Sequence, residues 1–99
     1  MLIEFLIQRT LPSRDLAALK MLASKLIAAA PSTIALLAND SDPANIVFAR
    51  SADLALDCGS LLKDALTAHA GKGGGSKEMA QGSVPRANLD PCLADLQAR

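Results

Sequence analysis

The chain has no tryptophan and no tyrosine, and only two phenylalanines in 99 residues. Its core must therefore be aliphatic. There is one histidine, His69, and there are two cysteines, Cys58 and Cys92, with no CxxC spacing and no paired histidine. That pattern argues against a zinc site, so no metal and no other cofactor is expected. Two buried thiols are the preferred reading over a disulfide. Charge of either sign is not in excess: ten Lys and Arg balance ten Asp and Glu. A chain of zero net charge has no general attraction for polyanions, so any nucleic-acid contact must come from a local patch. No apolar run reaches the roughly 18 residues of a transmembrane helix, and no signal peptide is visible. No membrane partner is expected, and the location is read as cytoplasmic. Neither HExxH nor GxSxG occurs. His69 sits near the end of a helical pattern, where a positive charge meets the helix dipole favourably, so it is read as structural. No residue is assigned a catalytic role.

Hydrophobic residues make up 51% of the chain, too many for a disordered one. Residues 1–99 are read as a single domain. Residues 2–9 are nearly continuous in apolar character, like a strand buried on both faces. The pattern starts at residue 2 without a lead-in. This reads as a domain excised from a longer protein and leaves open whether Met1 is native. Ser13 is the expected N-cap of a helix, with Arg14 and Asp15 in its first turn. Leu16, Leu19, Ala23, Leu26 and Ile27 recur at helical spacing, and Pro31 ends the run. The charges on this helix, Arg14, Lys20 and Lys25, are read as a solvated face.

Residues 33–37 and 46–50 read as strands around a turn cluster at 39–43. A strand, helix and strand should run parallel, and the short turn makes the next pair antiparallel. A second helix is expected over 57–70, with Leu61, Leu62, Ala65 and Leu66 as its buried stripe and Gly71 at C′. Residues 79–84 form a short strand, confined to an edge by Gly82 and Pro85. A last helix spans 88–98, capped by Asp90 with Pro91 in first position. The order β-α-β-β-α-β-α predicts an α/β (α+β) domain of two layers, a mixed four- to five-stranded sheet packed with about three helices.

Five of the six glycines lie between Gly71 and Gly82. Three in succession, Gly73 to Gly75, would each cost a helix or strand interior roughly 0.5–1 kcal/mol relative to Ala, so they are present for shape. Gly74 is expected at positive φ, where a β-branched residue is strained. A P-loop (G-x-x-x-x-G-K-[ST]) and a dinucleotide loop (G-x-G-x-x-G) both fail at Ser76, which stands where each needs glycine. Residues 71–76 can instead present successive backbone N–H groups to an anion. Lys72 and Lys77 would add charge-assisted contacts to phosphate. Arg50, ending the third strand, and Arg86, after the fourth, are expected near this loop. Gln81 either reads RNA hydroxyls and bases or satisfies the loop backbone. The plainer alternative is a tight turn against the sheet with solvated lysines.

This stretch resembles the glycine signature of the C-terminal, DHH-associated globular domain of alanyl-tRNA synthetase, shared with alanyl-tRNA editing proteins and more distantly with DHH phosphoesterases. The family pattern reads roughly G-G-[KR]-G-G-G-x-x-x-x-A-Q-G. Gly71, Lys72, Gly73, Gly74, Gly75, Ala80, Gln81 and Gly82 match it; Ala70 and Ser83 depart from it. The resemblance implies a tRNA-binding domain, with tRNA-Ala as the natural partner. It would position tRNA for a catalytic domain elsewhere in the same polypeptide, either an alanyl-tRNA deacylase or a ligase. The His and Cys cluster of editing sites, the class II synthetase motifs and a DHH element are all missing here, so this chain alone is not expected to be an enzyme. Ser83 and the incomplete glycine run tilt the reading towards the editing protein. The implied nucleic-acid contacts are Lys72, Gly73, Gly74, Gly75, Ser76, Lys77, Gln81, Arg86 and Arg50. Two alternatives stand beside this. One is the substrate-phosphate-binding domain of a DHH-type phosphoesterase, against which Ser76 counts, since that family carries His after its glycines. The other is a structural or dimerisation module, so a homodimer stays open.

Overall fold

A computed structural model describes residues 5–12 and 14–98. Five strands form one sheet: β1 (Phe5–Thr10), β2 (Thr33–Ala38), β3 (Ala44–Arg50), β4 (Lys72–Gly75) and β5 (Met79–Val84). Three helices accompany them: α1 (Leu16–Ala29), α2 (Cys58–Ala68) and α3 (Leu89–Ala98). The spatial order is β1-β2-β3-β5-β4. β1 and β2 are parallel, joined by α1, and every other pair is antiparallel. The α/β (α+β) class, the mixed sheet, the three helices and their order are as the sequence predicts. The glycine segment supplies the fifth strand. It pairs with β5 on the side away from β3, so β5 is interior and not the expected edge. Gly82 is tolerated there because it faces Gly73 across the ladder, and Pro85 falls just beyond the strand.

The helices divide between the two faces of the sheet, giving three layers where two were expected. The cause is visible in β2, which is buried along its whole length. Ile34, Leu36 and Ala38 point to one core and Ala35 and Leu37 to the other. A strand apolar on both faces needs cover on both. α1 supplies one side with Leu19 and Ala23, flanked by Leu16, Leu26 and Ile27, over Val47 and Ala49 of β3. α2 and α3 supply the other with Leu62, Ala65, Leu66, Leu89, Leu93 and Leu96, over Ile46, Phe48, Ala80 and Val84. α1 rests on β2 and β3, whereas α2 extends across β3, β5 and β4.

The helix ends correct several sequence-based expectations. Asp15, not Ser13, caps α1, its Oδ1 accepting the Ala18 N–H at 2.8 Å. Arg14 and Asp15 thus precede the first turn, and Ser13 lies outside the described residues. Asp57 caps α2 through the Ser60 N–H. At the other end of α2, Ala70 takes the left-handed position (φ 62°), and Gly71, one residue later than expected, donates its N–H to the Leu66 carbonyl at 2.7 Å. This is the longer bond of a Schellman ending. A 3-10 turn, Arg86–Asn88, leads into α3, so Asp90 and Pro91 lie inside its first turn. The missing proline N–H is harmless there, because first-turn donors have no intrahelical partner. His69 is structural: its Nε2 lies 3.2 Å from Asp95 Oδ2, and its carbonyl accepts from Asn88 Nδ2, tying the end of α2 to α3.

Both cysteines are buried in the α2–α3 core, and no disulfide joins them. Burial pushes the Cys58 thiol up to about 12, against the pull of the nearby Arg50 charge. An unfolded thiol ionises near its ordinary value of 9.0. Its burial therefore favours folding fully below that pH, and this contribution is lost as pH rises from about 9 towards 12. Stability measured by urea melts should fall over that window, and Cys58→Ala should flatten the fall. At pH 8 neither thiol should react with a water-soluble disulfide reagent until the chain unfolds.

Candidate nucleic-acid interface

Most of the glycines serve a close approach between α2 and the β4–β5 ribbon. A Cβ on Gly71 would lie 2.5 Å from the Ser83 carbonyl oxygen and 3.0 Å from a Leu66 methyl. On Gly73 (φ +157°) it would strike the Gln81 carbonyl and the Gly82 Cα, with Leu66 again at 3.0 Å. On Gly82 it would meet the Lys72 carbonyl at 2.7 Å and collide with Leu66. The Leu66 side chain, fully buried, thus occupies space that three side chains would otherwise fill. Gly75 (φ +158°) is closed off by Met79 and Ala80.

Gly59, on α2, belongs to the same constellation and was missed by the sequence reading. A Cβ there would run into the Gly75 carbonyl. Its N–H donates to Ser76 O and the Cys58 N–H to Lys77 O, both at 3.0 Å. The one signal for it was a glycine in the first turn of a helix, where its propensity is poor.

The expected anion nest does not form. Residues 72–75 are a strand, so their N–H groups alternate in direction instead of converging. The flanking donors are used: the Gly71 N–H by Leu66 and the Ser76 N–H by Met79 O at 3.0 Å. The Ser76 hydroxyl also closes the turn, accepting the Met79 N–H and donating to its carbonyl. Gly74 is not at positive φ, and a Cβ on it would have nothing within 4 Å. The expected strain at Gly74 is therefore overturned, because it is the one member of the triplet facing away from α2.

Register decides which candidates share a surface. Lys72 lies opposite Ser83, and Gly74 opposite Gln81. Directly opposed residues project to the same face, so these four form one surface of the ribbon, on the α1 side. α1 borders this surface without covering it. A shallow cleft of 360 Å³ lies between them, lined by Lys20, Gly74, Gly75, Met79 and Gln81. Lys20, read from sequence as part of a solvated face, is thereby brought beside the glycine strand. Lys77 stands in the β4–β5 turn, at the opposite end of the ribbon from Lys72, and both are exposed. Arg86 is partly buried at the Lys72 end, its backbone N–H donating to Asp42. A second cleft at that end, 280 Å³, is lined by Pro43, Ala70, Gly71, Lys72, Ser83, Val84 and Pro85.

Arg50 lies beside the β4–β5 turn as expected, its backbone N–H donating to the Glu78 carbonyl at 3.0 Å, but its side chain does not join the surface. It is 7% exposed. Its Nε donates to the Leu56 carbonyl and its Nη1 to Ser51 O, so it holds the β3–α2 connection together. Among the described residues no three His, Cys, Asp or Glu side chains are placed to hold a metal, and no helix is long and apolar enough to cross a membrane.

The two kinds of glycine can be separated by stability. Gly82→Ala forces Cβ against the Lys72 carbonyl and should cost roughly 1–3 kcal/mol, as overpacking does. Gly74→Ala enters open space and should be neutral or stabilising by up to about 1 kcal/mol through the unfolded chain. Denaturant melts of both variants check the contrast.

A search of curated proteins returns no match to this sequence. Among solved structures, the fold is similar to the C-Ala domain of Aquifex aeolicus alanyl-tRNA synthetase, with a TM-score of 0.85 at 18% sequence identity, covering 97% of this chain and 91% of that one. The DHHA1 domain family matches residues 4–99, the whole of the glycine ribbon and both cores included. On that match, this chain is a member of the DHHA1 domain family.

Proposed function

We propose that the chain is the tRNA-binding domain of an alanyl-tRNA editing protein or alanyl-tRNA synthetase. In this reading residues 1–99 are one domain of a longer cytoplasmic polypeptide. The chemistry, deacylation or ligation, belongs to a catalytic domain outside this chain. The domain itself holds tRNA-Ala and turns over nothing. Family membership and the likeness to a synthetase C-Ala domain support the lineage. The observation that carries the binding surface is the uncovered face of the ribbon, which Lys72, Ser83, Gly74 and Gln81 share and where Gly74 and Gln81 lie beside Lys20. A face floored by glycine lets a sugar-phosphate backbone come within reach of strand atoms.

The contacts are Lys72, Gly73, Gly74, Gly75 and Gln81 on the ribbon, with Ser76 and Lys77 at its turn and Arg86 at its far end. Arg50, buried and committed to the Leu56 carbonyl, makes none. With the cations spread along the ribbon, binding follows a backbone instead of gripping one phosphate. Phosphate contacts position without reading sequence, so tRNA shape should matter more than base identity.

The test is a tRNA titration at several salt concentrations. Two to four phosphate contacts give a log–log slope of roughly −1.4 to −2.8 on the single-strand relation, and somewhat steeper on duplex regions. Replacing both Lys72 and Lys77 with Ala should weaken binding and flatten the slope by about one to two units. Gly74→Glu should weaken it without lowering the melting midpoint. Parent-like affinity and slope in both variants would remove the ribbon from the interface.

A further inference from the structure

The outer side of α1 is apolar where a solvent-facing helix is ordinarily charged. From Leu16 to Ala29 the helix contains no acid and only two charges, Lys20 and Lys25. Its inner face is already committed to the sheet through Leu19 and Ala23. Yet Met21 is 63% and Leu22 36% exposed, with Ala17, Ala28 and Ala29 also open to solvent. A groove of 260 Å³ runs along this side, lined by Leu11, Arg14, Ala18, Met21, Leu22 and Lys25.

The spacing of that lining is informative. Within the helix, positions 18, 21 and 25 advance by three and four, the pattern of a seam that receives a second helix, and Arg14 continues the groove before the cap. Ala18 is small enough to admit a neighbour's side chain, and Met21 is adaptable at contact surfaces. The two ends of the groove are cationic, Arg14 just before the helix cap and Lys25 in the third turn of α1. No acidic residue lines the groove, and among the described residues neither cation has a carboxylate within ion-pair range. The adjacent Asp15 carboxylate is engaged by the Ala18 N–H.

We propose that this groove docks an α-helix of a partner protein, one whose apolar stripe is bracketed by an Asp or Glu side chain at each end. Charge complementarity selects this occupant. A second copy laid antiparallel on the same seam would set Arg14 against Lys25 at both ends, which is repulsive. A nucleic-acid strand would satisfy the two cations and leave phosphates over Met21 and Leu22. A helix with acids at its ends satisfies both the apolar middle and the charged ends, and the ion pairs set its register.

The probes are two synthetic amphipathic helical peptides that share a leucine stripe. One carries Glu at both flanks and the other Lys, and each is titrated onto the full chain by fluorescence anisotropy. The acidic peptide should bind, with the Lys peptide about tenfold weaker or more. Met21→Glu should abolish binding, and Arg14→Glu with Lys25→Glu should reverse the peptide preference. These side chains are exposed, so the melts should stay parent-like, and tRNA affinity in Met21→Glu should be unchanged. No binding of the acidic peptide, equal binding of both, or indifference to Met21→Glu overturns the proposal. Two controls would overturn it in favour of another occupant. Association with phosphatidylserine vesicles that Met21→Glu removes would assign the face to a membrane. A concentration-dependent dimer that the same substitution removes in sedimentation would assign it to a second copy.

Discussion

The contact on which this fold turns is that of Leu66 with a strand pair stripped of side chains. Its methyls lie against Gly71, Gly73 and Gly82. Full burial of a leucine stabilises by roughly 1.5–3 kcal/mol, but the larger consequence is geometric. α2 comes down almost onto the backbone of β4 and β5. Its N-terminus then meets the turn between them, where Gly59 and Cys58 donate to the Ser76 and Lys77 carbonyls. Its C-terminus meets their other end, where the Gly71 N–H returns to the Leu66 carbonyl. One helix thus fixes the ribbon at both ends and along its length. Without glycine at these positions the ribbon would be held off the helix.

This arrangement separates support from exposure. The glycines facing α2 leave no room for a Cβ, although the backbone of Gly73 and Gly75 stays exposed. Gly74, facing the other way, leaves a bare patch of strand between Gln81 and Lys72 and beside Lys20. The uncovered side is therefore not a loop that needs ordering. It is a strand surface whose backbone is already held by its neighbour and by the helix behind it. Rigid surfaces of this kind lose little entropy on binding. The charges around it are sparse, in keeping with a chain of zero net charge.

α1 stands in contrast to α2. It covers β2 and β3 and stops short of the ribbon, and its own outer side is left apolar with a cation at each end of a groove. The exposed ribbon face is thus a consequence of how far α1 extends across the sheet.

Much of this was legible in the sequence because it depends on local pattern. Apolar runs located β1, β2, β3 and β5 but not the glycine strand β4, helical spacing located α1 and α2, and Pro31 marked an end. The glycine motif pointed to the right family because its spacing is long enough to be specific. What the sequence could not convey was direction. Glycine carries no side chain, so nothing in Gly73-Gly74-Gly75 says which residue faces α2 and which faces the α1 side. That is set by the pairing of Gly74 with Gln81 and of Gly73 with Gly82. Arg50 looked like a free cation at a strand end. Only tertiary packing turned it inward to the Leu56 carbonyl, since burial arises from elements distant in the chain. Gly59 and Lys20 gave no sequence signal of belonging with residues 71–82, because α2 and α1 bring them there across the fold. Composition and periodicity determined that this chain builds a mixed sheet with three helices. The close descent of α2 onto the ribbon decided which of its residues are structure and which remain available to a partner.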